Sequence, residues 1–286
     1  MNLLPVERAA DLSLSGPQTQ WLIDELWAEQ AVGILGGEPK CCKTFLALDM
    51  AVSVASGTPC LRRFPVRKKG SVLLFPAEDS LAVVRRRLEG ICSVAGLPLA
   101  SLPIDVITVP ALRLDRESDT KLLTNTVESI QPDLLILDPL IRLHRADEND
   151  ASQMAGLLSF LRHLQRTFQV AIVVVHHARK GSGSGRPGQA LRGSSELHGW
   201  GDSNLYLRRH KETLSLTTEH RAAASRDDIR LQLTENDEGL SLSLCPSDDD
   251  QDEGSASAAI PPVQRVHDAL TQAGHPISLQ ELRKLC

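Results

Sequence analysis

Residues 34–44, Ile-Leu-Gly-Gly-Glu-Pro-Lys-Cys-Cys-Lys-Thr, constrain this chain more than any other stretch. An apolar run, Ala31 to Leu35, leads into them, and an amphipathic run, Phe45 to Val54, follows. Strand, tight loop and helix start are the parts of a phosphate-binding loop. The pattern G-x-x-x-x-G-K-[ST] is matched at Gly37, Lys43 and Thr44, with Cys42 where the second glycine belongs. Such a loop serves nucleoside triphosphates. Gly37 supplies the turn that starts a cradle of backbone N–H groups, and the helix N-terminus adds a field favourable to anions. Lys43 reaches the β- and γ-phosphates, and Thr44 places its hydroxyl on Mg²⁺. The candidate nucleotide-binding set is therefore Gly37, Glu38, Pro39, Lys40, Cys41, Cys42, Lys43 and Thr44. The blander reading is a Lys-Thr pair that merely starts a helix. Cys42 lacks glycine's access to positive φ, so it is expected in a β-like or helical conformation.

Three further short apolar runs, Ser71–Phe75, Leu134–Leu137 and Val170–Val175, read as strands buried on both faces. Helical patterns at Phe45–Ala55, Ser80–Ala95, Thr120–Ile130 and Ala151–Thr167 separate them, which predicts an α/β fold: a mostly parallel sheet flanked by helices. Four alternating segments, Asn204–Arg208, Thr213–Glu219, Arg230–Thr234 and Leu240–Leu244, extend that sheet as antiparallel hairpins. Residues 1–20 read as an arm, and Trp21 to Leu26 as a docking element before the first strand. The expected divisions are an arm 1–20, a phosphate-loop domain 21–245, an acidic linker 246–259 and partial winged-helix-like helices 260–286. The linker carries Asp248, Asp249, Asp250, Asp252 and Glu253, a solvated spacer by composition. After it, Val263–Ala273 and a second helix capped by Ser278 stop before any recognition helix, so the tail is not credited with groove reading.

Composition excludes several classes. The net charge of −5 carries no global basic signature, so contact with nucleic acid has to come from a local loop. Aromatic residues are 3% of the chain, too few for a broad base-stacking platform. The six cysteines form no C-x-x-C pair and no histidine cluster completes a zinc spacing. With no signal peptide and no long apolar run, the expectation is a cytoplasmic protein with reduced thiols and no membrane contact.

Chemistry is expected at strand ends, where ligands of open α/β sheets sit. Glu78 and Asp79 follow the strand Ser71–Phe75. Glu78 suits activation of the attacking water, and Asp79 suits the N-cap of the next helix. Asp138 closes the strand in Asp-Leu-Leu-Ile-Leu-Asp-Pro, the position of a carboxylate on Mg²⁺; alone, an Asp-Pro after a strand is a turn. His176 and His177 end the strand Val170–Val175, where a polar side chain can sense the γ-phosphate; two neighbouring histidines can also be one buried and one exposed structural residue. The glycine- and serine-rich segment Arg179–Gly188 is a mobile basic grip for single-stranded nucleic acid or an ordinary loop. Arg221 is a transition-state arginine for a neighbour's γ-phosphate or a solvated hairpin residue.

Together, GGEPKCCKT, LLFPAED, LLILDPL, VVVVHHARK and LRGSSELHGWGDSNLYLRR resemble the RecA/DnaB-like ATPases, and within them the RepA-like hexameric replicative helicases of the AAA_25 kind, over roughly residues 21–235. The resemblance implies a RecA-like fold, ATP and Mg²⁺ as cofactors, a homo-hexameric ring and single-stranded DNA as partner. It implies Glu78 as catalytic base, Asp138 as metal residue, His177 as γ-phosphate sensor and Arg221 as the finger across a subunit interface. It also implies Lys180, Arg186 and Arg192 on the loop lining the DNA channel, and it places Arg142–Asp150 near the rim of the active site. Departures are Cys42, and Glu219 with His220 where relatives place a lysine before the finger. The leading expectation is a ring-forming helicase or translocase; the alternative is a nucleotide-gated DNA-binding or assembly protein with little turnover. A thiol at this helix start beside Lys43 is further expected to have a lowered pKa, so that oxidation or alkylation of Cys41 or Cys42 blocks ATP binding; the other reading is a passive small residue covered by nucleotide.

Overall fold

The computed structural model describes residues 6–11, 20–148, 150–177, 195–211, 213–236 and 239–245. In chain order the strands are β1 (Trp21–Ile23), β2 (Trp27–Ala28), β3 (Val32–Gly37), β4 (Val72–Pro76), β5 (Ile104–Val106), β6 (Leu134–Asp138), β7 (Ala171–His177), β8 (Ser203–His210), β9 (Thr213–His220), β10 (Ile229–Asn236) and β11 (Gly239–Leu244). The α-helices are α1 (Lys43–Ser56), α2 (Leu81–Val94), α3 (Glu117–Ile130), α4 (Ala151–Phe168) and α5 (Ser195–Trp200).

Nine strands form one sheet in the order β11-β10-β9-β8-β3-β7-β6-β4-β5. The pairs from β5 through to β8 are parallel, and β8 to β11 are antiparallel. Every residue of β3 is buried, as expected of a central strand covered on both faces. Its side chains alternate between two cores: Leu35 packs with α1 and α2, and Val32 and Ile34 pack with α3 and α4. Gly33 is needed for sheet closure, because a Cβ there would lie 1.7 Å from the Ser203 carbonyl oxygen at the start of β8. The mostly parallel sheet, its flanking helices and the antiparallel extension match the sequence expectation.

Three details differ. The segment starting at Trp21 is not only a docking element: it pairs as the β1–β2 hairpin, with Trp27 fully buried and its indole N–H donating to the Ala31 carbonyl. The N-cap of α2 is Ser80, whose hydroxyl accepts from the Val83 N–H, rather than Asp79. β5 has no strong signal in the sequence, because a three-residue edge strand with half-exposed side chains shows no apolar run. Among the described residues no helix is long and apolar enough to cross a membrane. Most of the arm, the linker and the winged-helix-like tail lie outside the described residues.

Candidate nucleotide-binding site

β4, β6, β7 and β3 are neighbours and run parallel, so their carboxyl ends meet along one edge. Pro76 stands opposite Asp138, and Gly37 opposite His177. The cavity there, about 290 Å³, is lined by the loop Lys40–Thr44 and by Glu78, Asp79, Arg87, Asp138 and His177 among others. The sheet thus brings residues 37–44, Glu78, Asp138 and His177 together from four separate segments.

Within the loop, no side chain fits at Gly37: a Cβ would lie 2.4 Å from the Leu207 carbonyl oxygen and 2.7 Å from Cys41 Sγ. Glycine is required there by the approach of β8 as well as by the turn. Cys42 occupies the N-cap of α1 at φ 64°, ψ 24°, a left-handed conformation. The expectation of a β-like or helical backbone is therefore wrong: the loop does need positive φ, and the cysteine adopts it at a cost of about 1–2 kcal/mol. Its sulfur accepts from Arg209 Nη2 at 3.4 Å. Cys41 is fully buried. Burial pushes its thiol pKa up, against the opposing influence of Lys43, so the expected lowered value does not hold for Cys41.

Lys43 is itself buried, and its ammonium donates to the carbonyls of Gly37 (3.0 Å) and Glu38 (2.8 Å), inside the cradle. The Thr44 hydroxyl donates to Asp138 Oδ2 at 2.7 Å. Burial raises the Asp138 pKa to about 6, with Asp79 and Glu78 adding to the rise and Thr44 and Lys43 opposing it. A carboxylate kept short of compensating charge, next to a hydroxyl, is a pair of hard oxygen donors suited to Mg²⁺. Among the described residues no group of three or more His, Cys, Asp or Glu could hold a metal. Mg²⁺ commonly takes one or two carboxylates plus substrate phosphates, so the Thr44–Asp138 pair fits that ion.

Glu78 Oε1 accepts from Arg142 Nε at 2.9 Å, and its Oε2 lies 3.9 Å from His177 Nε2. Arg142 is a site residue that the sequence reading named only within the segment 142–150; no local spacing links it to Glu78, 64 positions earlier. Asp79 pairs with Arg87, one helical stretch further along α2, and the Arg87 guanidinium lies 5.1 Å from the centre of the Phe45 ring. The adjacent histidines split: His177 faces the cavity, while His176 is buried 3.6 Å from Glu148, which also lies 3.9 Å from buried His144.

Arg221 is not part of this cavity. β9 is antiparallel to β8, so Arg221, following His220, emerges where β3 and β8 begin, at the end of the sheet opposite the phosphate loop. It lies beside Asp202 (3.2 Å). His220 bonds Ser203 and the Glu25 carbonyl, and Glu219 lies 3.5 Å from His198. Lys180, Arg186 and Arg192 fall outside the described residues.

The family model AAA_25, described as AAA domain, matches residues 2–183. DNA repair protein RadA of Haemophilus influenzae is 26% identical over 194 residues, 65% of this chain and 37% of that protein; the chain spans little more than a third of that curated relative. Among solved structures, the RadB recombinase aligns with a TM-score of 0.53 at 17% identity, covering 75% of this chain and 91% of that one. A DnaB-like replicative helicase, described with its interactions with primase, aligns at 0.58 and 15% identity, covering 74% and 57%. The likeness to these structures lies in the fold, that of a RecA/DnaB-like P-loop ATPase.

Proposed function

We propose that this chain, which belongs to the AAA_25 family of AAA domains, is a Mg²⁺-dependent ATPase that assembles into a ring and acts on single-stranded DNA as a helicase or translocase. The observation that carries this reading is the meeting of Thr44 and Asp138 at 2.7 Å beneath a loop whose lysine is already turned into its own cradle. Bound Mg²⁺ would be held by Thr44 and Asp138 and would supply neutralising charge on the phosphates. The residues of the chain do the rest. Backbone N–H groups of 38–44 and the Lys43 ammonium bind the triphosphate. Glu78 takes a proton from the attacking water, held in direction by Arg142, and His177 hydrogen-bonds the γ-phosphate from the end of β7. Arg221 serves a neighbouring subunit's phosphate, and Lys180, Arg186 and Arg192 contact the DNA backbone.

The test is a pair of variants. Lys43→Ala abolishes hydrolysis, and Glu78→Gln binds Mg²⁺–ATP without turning it over; normal turnover in both refutes the assignment. The second reading, a nucleotide-gated DNA-binding or assembly protein with little turnover, is favoured by the Arg142 contact that occupies Glu78 and by the strained Cys42. ATP turnover measured with and without single-stranded DNA separates them. Stimulation by DNA supports the first, and binding without turnover supports the second.

A further inference from the structure

One cluster of buried titratable groups takes no part in the site as described. The Glu148 side chain, 10% exposed, sits between two imidazoles that are 1% exposed: His176 Nδ1 lies 3.6 Å from its Oε1, and His144 Nε2 lies 3.9 Å from the same atom. A carboxylate this deeply buried is tolerated only beside a compensating partner, so the cluster needs a proton on one of its three groups. Burial pushes the His144 ring towards its neutral form, with Arg113 adding to the effect and the Ala146 backbone and Asp115 opposing it. That leaves the proton to the closer pair, Glu148 and His176.

The pair stands at a joint in the fold. β7 pairs with β3 as far as His177, opposite Gly37, but its register with β6 ends at Val174, opposite Leu137. Past that point the chain that follows β6 takes over, and its Glu148 meets His176. His177, next along β7, points to the other face, where it lines the nucleotide cavity with Nε2 3.9 Å from Glu78 Oε2. The chain that brings Glu148 also brings Arg142, whose Nε donates to Glu78 Oε1 at 2.9 Å. Arg113 braces the Arg142 end of that chain, donating to the carbonyls of Arg142 (2.8 Å) and His144 (3.1 Å). The links close a circuit: Glu78 to Arg142, along the chain to Glu148, across to His176, on to His177 and back to Glu78. Glu148 and His176 complete it without lining the cavity.

We infer that Glu148 is a positioning residue for hydrolysis: by clamping His176 it fixes the end of β7, and with it the place of His177 relative to Glu78 and the γ-phosphate. A displacement of the His177 ring by an ångström leaves the phosphate cradle intact but spoils the alignment that turnover needs. Glu148 therefore acts on the chemical step more than on nucleotide binding. The inference rests on the ATPase reading and adds to it a group that governs the reaction without touching the nucleotide.

The test uses the full chain. In Glu148→Ala, turnover at saturating Mg²⁺–ATP is expected to fall at least about tenfold, while affinity for a slowly hydrolysed Mg²⁺–ATP analogue stays within about twofold of the parent. Glu148→Gln, of native shape, keeps an oxygen that accepts from the His176 Nδ1–H, so it should lose only about threefold, in turnover alone; it carries the comparison where the alanine variant does not fold. Long-range ¹⁵N spectra of the histidine-labelled, nucleotide-free chain read the clamp without turnover. The parent should show His176 protonated on Nδ1 and a single sharp His177 ring, and removal of the carboxylate should shift His176 and broaden His177. Parental turnover in Glu148→Ala, a loss of affinity as large as the loss of turnover, or an unchanged His177 resonance in that variant would overturn the inference. Full turnover by Lys43→Ala would instead sink the ATPase reading beneath it, with the spectra still deciding whether Glu148 holds the end of β7.

Discussion

Asp138 is where function and stability should conflict most measurably. Burial holds its carboxyl at about 6, against an ordinary value of 3.8. Because the folded-state pKa is raised, the protonated form suits the fold better. The contribution of this group to stability is complete below about 3.8 and is lost as pH rises through about 6. At 1.36 kcal/mol per pH unit, the gap between those values sets an upper bound of about 3 kcal/mol at neutral pH. Asp138→Asn removes the charge and keeps an oxygen for the Thr44 hydroxyl. Without nucleotide or Mg²⁺, we expect the variant to be more stable than the parent at pH 7.5, by about 1–3 kcal/mol, and about equal to it near pH 4. Buried Asp49, also raised to about 6, is common to both proteins and cancels in the difference. Urea unfolding at a series of pH values is the assay, and Mg²⁺-dependent nucleotide affinity, expected to be lost, is the companion measurement. A variant less stable than the parent at pH 7.5, or a difference that does not change with pH, would refute the reasoning.

Three other outcomes follow from the loop. Gly37→Ala should weaken nucleotide binding at least tenfold in equilibrium dialysis, because its Cβ meets the Leu207 carbonyl oxygen at 2.4 Å and β8 has to move. A maleimide at pH 7 should label Cys42 at least ten times faster than Cys41, whose thiol is buried and pushed up in pKa; peptide mass mapping reads the ratio, and equal rates contradict the packing. Cys42→Gly should fold with a stability within about 1 kcal/mol of the parent, whereas Cys42→Val should lose at least about 2 kcal/mol, since a β-branched residue resists left-handed backbone.

Much of the architecture was legible because central parallel strands are continuous apolar runs, and β4, β6 and β7 stand out on that ground alone. The site was legible for a related reason. Strands of one parallel sheet deliver their last residues to one edge, so Glu78, Asp138 and His177 meet wherever their strands are neighbours. What escaped depends on contacts between distant segments. Arg142 reaches Glu78 across 64 positions, and Arg209 reaches Cys42 across 167; neither spacing leaves a local pattern. Asp79 reads as the cap of α2 because Asp and Ser are comparable N-caps; in the structure Asp79 pairs with Arg87 and Ser80 caps the helix.

Cys42 shows how a departure from a motif can leave the motif's geometry in place. The glycine of the pattern is favoured because the backbone must turn left-handed there, and the backbone at Cys42 still does so, at φ 64°. A conformational cost of about 1–2 kcal/mol is small beside what anchors the loop on either side. Those anchors are Gly37 packed under Leu207, buried Cys41, and the Lys43 ammonium bonded to two loop carbonyls. Arg209 has an added role at this point. Its guanidinium contacts the Cys42 sulfur at the tip of the β8–β9 hairpin, which ties the mouth of the phosphate loop to a hairpin whose other end leads to Arg221. A substitution that spares the backbone but removes the sulfur therefore tests two links at once. Cys42→Gly relieves the strain and breaks the Arg209 contact, whereas Arg209→Ala breaks the contact alone. Equal nucleotide affinity in the parent and Arg209→Ala would assign the whole effect of Cys42→Gly to the backbone.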